Sequence, residues 1–205
     1  MIRSLLIAVA VVVTTVTLIA ADPYLLNIYR SVAPDGEFAR SIAVAAEYTL
    51  DPPIVLVAFM LYALFISADR FRRFGMLVAT MLTQATLVCV MKRFFGRMRP
   101  ADLVAQLGFF GPTLGDGHNS FPGGHATGAF ALATILACWH PRWRWAFYGV
   151  ATIITLSRIH LERHFFSDCF LGGCLGYWIA RAFVHYLDPA ASPRPQTQAQ
   201  PKAEH

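Results

Sequence analysis

Charge is scarce in this chain. Only 14% of its 205 residues are Asp, Glu, Lys or Arg, while 56% are hydrophobic. An ordinary soluble domain carries about 25% charged residues, so that class is excluded and a polytopic membrane protein fits instead. Cysteine is also scarce. Cys89, Cys138, Cys169 and Cys174 form no CxxC pair and no zinc spacing, and all fall in or beside apolar runs. They read as small buried thiols, which excludes a disulfide framework and a cysteine metal site. A continuous basic patch is missing as well. The net charge is +5, but the basic residues are scattered between apolar runs, so no nucleic-acid partner is implied.

Long apolar runs are what the chain does have. A spanning helix needs about 20 mostly apolar residues. Six candidates occur, at 5–21, 53–67, 74–91, 124–139, 145–156 and 166–186. They predict an all-α fold, a six-transmembrane-helix bundle forming one domain over residues 1–187. The first run has Arg3 before it and "LIAAD" at its end, as a signal peptide would, but it is long for such a segment and reads as a retained helix. The stretch after it reads as a short helix, a Pro34-Asp35-Gly36 turn and an amphipathic segment at the interface. Residues 188–205 are rich in Pro, Gln and Ala and read as a disordered cytoplasmic tail.

Basic residues favour the cytoplasmic side of a membrane protein. Arg3, Arg70, Arg72, Arg73, Arg142, Arg144, Arg194 and Lys202 all fall on one side of a six-span layout. That side, with both termini, is expected to be cytoplasmic. Two stretches break the bias, "KRFFGRMRP" (92–100) and "SRIHLERHFFSD" (157–168). They fall on the outer side together with "SFPGGHATG" (120–128), so all three can converge there. Anion binding explains basic residues placed against the bias.

The chemistry of these stretches is consistent with that reading. Lys92, Arg99 and Arg158 are cations suited to phosphate oxygens, the arginines as bidentate forks. Pro122-Gly123-Gly124-His125 is a turn running into a helix, whose backbone N–H groups and dipole favour an anion. His164 and Asp168 stand four apart on one helix face. A carboxylate there can hold one ring nitrogen protonated and leave the other free to attack. His125 can protonate a leaving oxygen. Arg93, Arg97 and Arg163 read as interface or substrate-rim cations. His160 precedes His164 by four, but "HLERH" is neither HExxH nor HxxEH, so a zinc pair is not supported. Gly124 with Gly128, and Gly172 with Gly176, form small-residue stripes through which the fourth and sixth spans are expected to pack.

Lys92-x6-Arg99-Pro100, Pro122-Gly-Gly124-His125 and Ser157-Arg158-x5-His164-x3-Asp168 resemble the type 2 phosphatidic acid phosphatase family, part of the superfamily that includes vanadium haloperoxidases. The resemblance implies a lipid phosphatase of a bacterial inner membrane, with its site facing the periplasm. In that scheme His164 is the nucleophile that forms a phosphohistidine, Asp168 orients it and His125 protonates the leaving group. Lys92, Arg99, Arg158 and the backbone at Gly123 and Gly124 hold the phosphoryl oxygens. No metal and no cofactor are implied, and no obligate protein partner. Substrates in keeping with this are undecaprenyl pyrophosphate, phosphatidylglycerol phosphate, phosphatidic acid or lipid A phosphate. One position departs from the family. Gly123 stands where the family has serine, so a hydroxyl contact is missing that Ser120 could partly replace. A lipid phosphotransferase, a haloperoxidase and a degenerate lipid-binding member are the alternatives.

Overall fold

The computed structural model describes residues 2–33, 69–102, 108–113 and 117–188, with isolated positions between 37 and 65 and Ala191. Among these residues the named elements are five α-helices: α1 (Ile2–Val32), α2 (Arg70–Phe95), α3 (Gly124–Trp139), α4 (Arg144–His160) and α5 (Phe166–Leu187). Short 3-10 turns at Pro100–Asp102 and Pro141–Trp143 join them. The expected span at 53–67 lies largely outside the described residues. So do most of the expected interfacial segment and the tail.

Each described helix includes one of the apolar runs, and most run past it. α2 begins a turn earlier than its run and ends a turn later, and α4 continues to His160. These extra turns are polar and carry Lys92 and Arg158. α1 corrects an expectation. The expected span ended at Ala21 and a separate short helix followed, but one helix continues through Asp22 and Pro23 to Val32, with the Asp22 carboxylate satisfied inside the protein. At 31 residues it is about 46 Å long, more than the ~30 Å hydrocarbon core of a bilayer.

α3 is the central helix. Between Ala126 and Leu136 every side chain but Phe130 is buried, as expected for a helix that is apolar on all sides. α5, α4 and α2 pack around it. The outward faces are apolar too. Leu5, Leu6, Val9, Val12, Val13 and Val16 of α1 are exposed, as are Val150, Ile153 and Leu156 of α4. Such a surface fits lipid and not water. α1 and α2 are long and apolar enough to cross a membrane. The thiols do not all read as expected: Cys169 is buried, but Cys89 lies on an exposed face of α2. An apolar neighbourhood in this sequence can therefore mean the bundle's surface as well as its interior.

One end of the bundle is closed by Asp188. It pairs with Arg72 at 3.1 Å and accepts from the Trp139 indole at 3.2 Å. Arg73 lies over the Trp139 ring, 5.0 Å from its centroid. The starts of α3 and α5 and the ends of α2 and α4 therefore gather at the opposite end, and with them the three motifs.

α3 and α5 approach so closely that their contact requires glycine. A Cβ on Gly176 would lie 2.1 Å from the Thr127 carbonyl oxygen, and one on Gly172 2.5 Å from that of Gly123. The expected pairing of glycine stripes is thus half right. Gly172 and Gly176 face α3, whereas Gly124 faces α2, where a Cβ would meet Val88 at 3.4 Å. Gly176→Ala is expected to destabilise the protein by about 1–3 kcal/mol through overpacking, read as thermal unfolding in detergent. Gly149→Ala, whose Cβ would meet nothing within 4 Å, is expected not to lower the transition and to raise it slightly, by about 0.5–1 kcal/mol, because alanine is the better helix former.

Candidate functional site

The first motif is shaped by the end of α2. Gly96 caps the helix in the left-handed region, with φ 54°, and its N–H donates to the Lys92 carbonyl at 2.9 Å. A Cβ there would sit 2.3 Å from the Gly111 carbonyl oxygen, so only glycine fits. The reversal keeps Lys92 on the last turn, sends Arg97 inward and returns Arg99 toward the surface. Lys92 and Arg99 are half-buried. Arg99 Nε donates to Asn119 Oδ1 at 3.0 Å. Arg158, on the last turn of α4, is 1% exposed.

The second motif starts α3. Its N-cap, Gly123, has no side chain with which to cap it, and the first backbone N–H groups and positive dipole end of such a helix favour an anion. A Cβ on Gly124 would be 3.8 Å from Lys92 Nζ, which puts the ammonium beside that N-terminus. His125 is half-buried on the first turn, within electrostatic reach of Arg158, His164, Lys92 and Arg99. Gly123 departs from expectation. Its N–H, expected to bind an anion, donates instead to the Asp168 carbonyl at 2.9 Å. A Cβ at this position would lie 3.1 Å from that carbonyl oxygen. The close crossing of α5 over α3 thus occupies both the donor and the space a side chain would use.

The third motif contributes the histidine and the carboxylate. His164 ends the α4–α5 connection and is 3% exposed. Its Nδ1 is 3.7 Å from Asp168 Oδ2 and 3.4 Å from Ser120 Oγ. Asp168 is on the first turn of α5 and has two roles. Oδ2 accepts from the Phe165 N–H at 2.8 Å, which caps the helix. It also accepts the Ser120 hydroxyl at 2.5 Å, while Oδ1 accepts from Arg97 Nη1 at 2.6 Å. Ser120 is therefore engaged with the carboxylate and does not replace a phosphate contact. Burial pushes the His164 imidazole below its ordinary pKa, Asp168 opposes this, and Lys92 and Arg99 add to it. This direction favours the neutral ring, which carries a nitrogen lone pair.

Two residues of this end escaped sequence reasoning. Arg97, expected at the rim, is fully buried between Asp168 and Asp22. Its guanidinium lies over Phe165, 4.0 Å from the ring centroid. Burial of such a cation requires paired carboxylates, and Asp22 supplies the second. An ionisable residue closing an apolar run was the available signal. Arg93 and Arg163 are exposed, as rim cations would be. His160 meets the Tyr29 hydroxyl at 3.0 Å through Nδ1.

Comparison with known proteins identifies the fold and the family. The Rhizobium etli protein named Lipid A 1-phosphatase is 34% identical over 107 residues, which is 51% of this chain and 46% of that protein. This chain thus spans under half the length of that relative. The crystal structure of Aquifex aeolicus LpxE has the same fold, with a TM-score of 0.66 and 24% identity, covering 80% of this chain and 95% of that one. That of a transmembrane PAP2 type phosphatidylglycerolphosphate phosphatase from Bacillus subtilis follows, with a TM-score of 0.58 and 18% identity over 87% of this chain and 94% of that one. Residues 73–191 match the PAP2 superfamily and include all three motifs, so this chain belongs to the PAP2 superfamily.

Proposed function

We propose that the protein is an integral-membrane lipid phosphatase that works through a phosphohistidine and needs no metal. The observation that carries this reading is the gathering of three motifs, far apart in sequence, at one end of the bundle. There a buried neutral histidine, an orienting carboxylate, three cations and an uncapped helix N-terminus stand together.

The roles follow from position. Lys92, Arg99 and Arg158 bind the phosphoryl oxygens, with the first open N–H groups of α3 from Gly124 onward. Gly123 contributes by letting α5 approach, since its own N–H is engaged. Asp168 holds the His164 Nδ1 proton, directly or across the Ser120 oxygen. His164 Nε2 attacks phosphorus, and the bond to the leaving oxygen breaks as the N–P bond forms. His125 gives that oxygen a proton. Water, activated by the same His125, then releases phosphate from His164. Phosphoryl transfer depends mainly on positioning and charge stabilisation, and this set supplies both.

The substrate is an amphiphile whose phosphate lies at headgroup depth. The relative named Lipid A 1-phosphatase puts a lipid A 1-phosphate first, ahead of undecaprenyl pyrophosphate, phosphatidylglycerol phosphate and phosphatidic acid. The bacterial relatives favour a bacterial inner membrane, and the distribution of Arg and Lys favours the site on its periplasmic side with the termini in the cytoplasm.

Phosphate release from a panel of these lipids, with purified protein in detergent and EDTA throughout, tests the reading. Wild type is expected to release phosphate and His164→Ala to release none. Release that EDTA abolishes, or that survives His164→Ala, would contradict it. The pH dependence is a second test. Because burial lowers the imidazole from its ordinary 6.5, His164 stays unprotonated as pH falls through that value. The acid limb of kcat/KM, which reports the free enzyme, is expected below 6.5. A limb above it would mean that the nucleophile is not this buried ring.

A further inference from the structure

Among the described residues at the site end of the bundle, the mechanism leaves one buried charged cluster unused. Asp22 and Arg97 are both fully buried, and neither reaches the open side of the site. A buried ion is costly unless every bond lost to water is replaced, so the pair needs a reason. Asp22 lies on α1, remote in sequence from all three motifs. Its Oδ2 accepts from Arg97 Nη2 at 2.8 Å and from the Ser167 hydroxyl. Its Oδ1 accepts from the Ser167 N–H at 3.1 Å. The other arm of the guanidinium, Nη1, donates to Ser167 Oγ at 2.7 Å and to Asp168 Oδ1 at 2.6 Å. Phe165 and Phe109 cover Arg97 at 4.0 and 4.9 Å and keep water out.

We propose that Asp22 and Arg97 are positioning residues of the reaction: α1 holds the carboxylate of Asp168 in place through a buried Asp22–Arg97–Asp168 relay. The kinetic consequence rests on the phosphatase reading above. Arg97 binds Oδ1 and so turns Oδ2 toward Ser120 and His164. Alone, a guanidinium this close would draw the carboxylate's charge away from the imidazole. Asp22 balances it, and the relay as a whole keeps one negative charge for His164, which becomes cationic as its N–P bond forms. α1 fixes the same loop a second time. Tyr29 meets His160, and Arg30 Nε donates to Glu162 at 2.7 Å. The nucleophile is thus held by α1 on both sides in sequence.

The charged and titratable groups facing Asp168 and His164 are Lys92 of α2, Arg99 after it, His125 of α3, Arg158 of α4, Cys169 of α5, and Arg97 with Asp22. Asp22→Asn removes one negative charge from this set with almost no change in shape. It is expected to lower kcat by about 100-fold, the scale of a small misplacement at a reacting centre, with KM little changed. The acid limb moves to lower pH, because the imidazolium loses a stabilising charge. Asp22→Glu keeps the charge and displaces it, so kcat falls while the limb stays in place. This variant serves alone if Asp22→Asn does not fold. Arg97→Lys, which cannot fork between two carboxylates, recovers only part of the activity that Arg97→Gln loses.

Wild type and His164→Ala are run alongside. Wild type that releases no phosphate overturns the phosphatase reading and not the relay. In that case the NMR titration of the His164 ring, assigned by its loss in His164→Ala, still decides. The ring titrates lower in Asp22→Asn if the relay is coupled to it. Unchanged kcat in folded Asp22→Asn and Asp22→Glu, or an unmoved His164 titration in Asp22→Asn, overturns the proposal.

Discussion

Taking a carboxylate out of water costs several kcal/mol unless donors replace the water, and the site end of this bundle is arranged around one such carboxylate. Asp168 collects a donor from each neighbouring part. The guanidinium of Arg97 follows α2, the hydroxyl of Ser120 precedes α3, and the N–H of Phe165 begins its own helix. Its backbone carbonyl accepts from Gly123. The Phe165 bond is local to α5, but the other three form only when α2, α3 and α5 are docked in this register. The same bonds then aim His164 and place Lys92 beside the start of α3. Folding of this end and assembly of the site are therefore one event. The glycines follow from the same constraint, since Gly172 and Gly176 allow α5 to come close enough for Asp168 to reach.

The helices were legible because burial here is a matter of long apolar runs. The 124–139 run and α3 coincide, and the 166–186 run and α5 differ by one residue at one end. The three motifs were legible because each is local, a few residues with fixed spacing around a helix end. What stayed hidden is what depends on distant partners. Asp22 and Ser167 are separated by 145 positions and Asp22 and Arg97 by 75, so no window along the chain contains both members of either pair. Arg97 was misread for this reason. Exposed and buried arginines look alike until the carboxylates opposite them are known. Gly123 was misread for another. A glycine in a turn can bring the backbone to a ligand or to a neighbouring helix, and only the crossing of α3 and α5 shows that here it meets the Asp168 carbonyl.

The setting separates this site from a soluble one with the same groups. Its cations lie where apolar helix faces end, and the outward faces of α1 and α4 below it fit lipid. A phosphate held by Lys92, Arg99 and Arg158 would thus have its lipid tail beside hydrocarbon without leaving the bilayer. α1 takes part in both settings, with an apolar outer face and an inner carboxylate that reaches the end where the three motifs gather.

The claim on which the rest stands is that His164 takes the phosphoryl group. Rapid quenching of the protein during turnover of a radiolabelled lipid phosphate, followed by peptide mapping under alkaline conditions that preserve phosphohistidine, tests it directly. The account predicts label on the peptide carrying His164 and none in His164→Ala. Label on His125, or turnover with no labelled histidine, would contradict it.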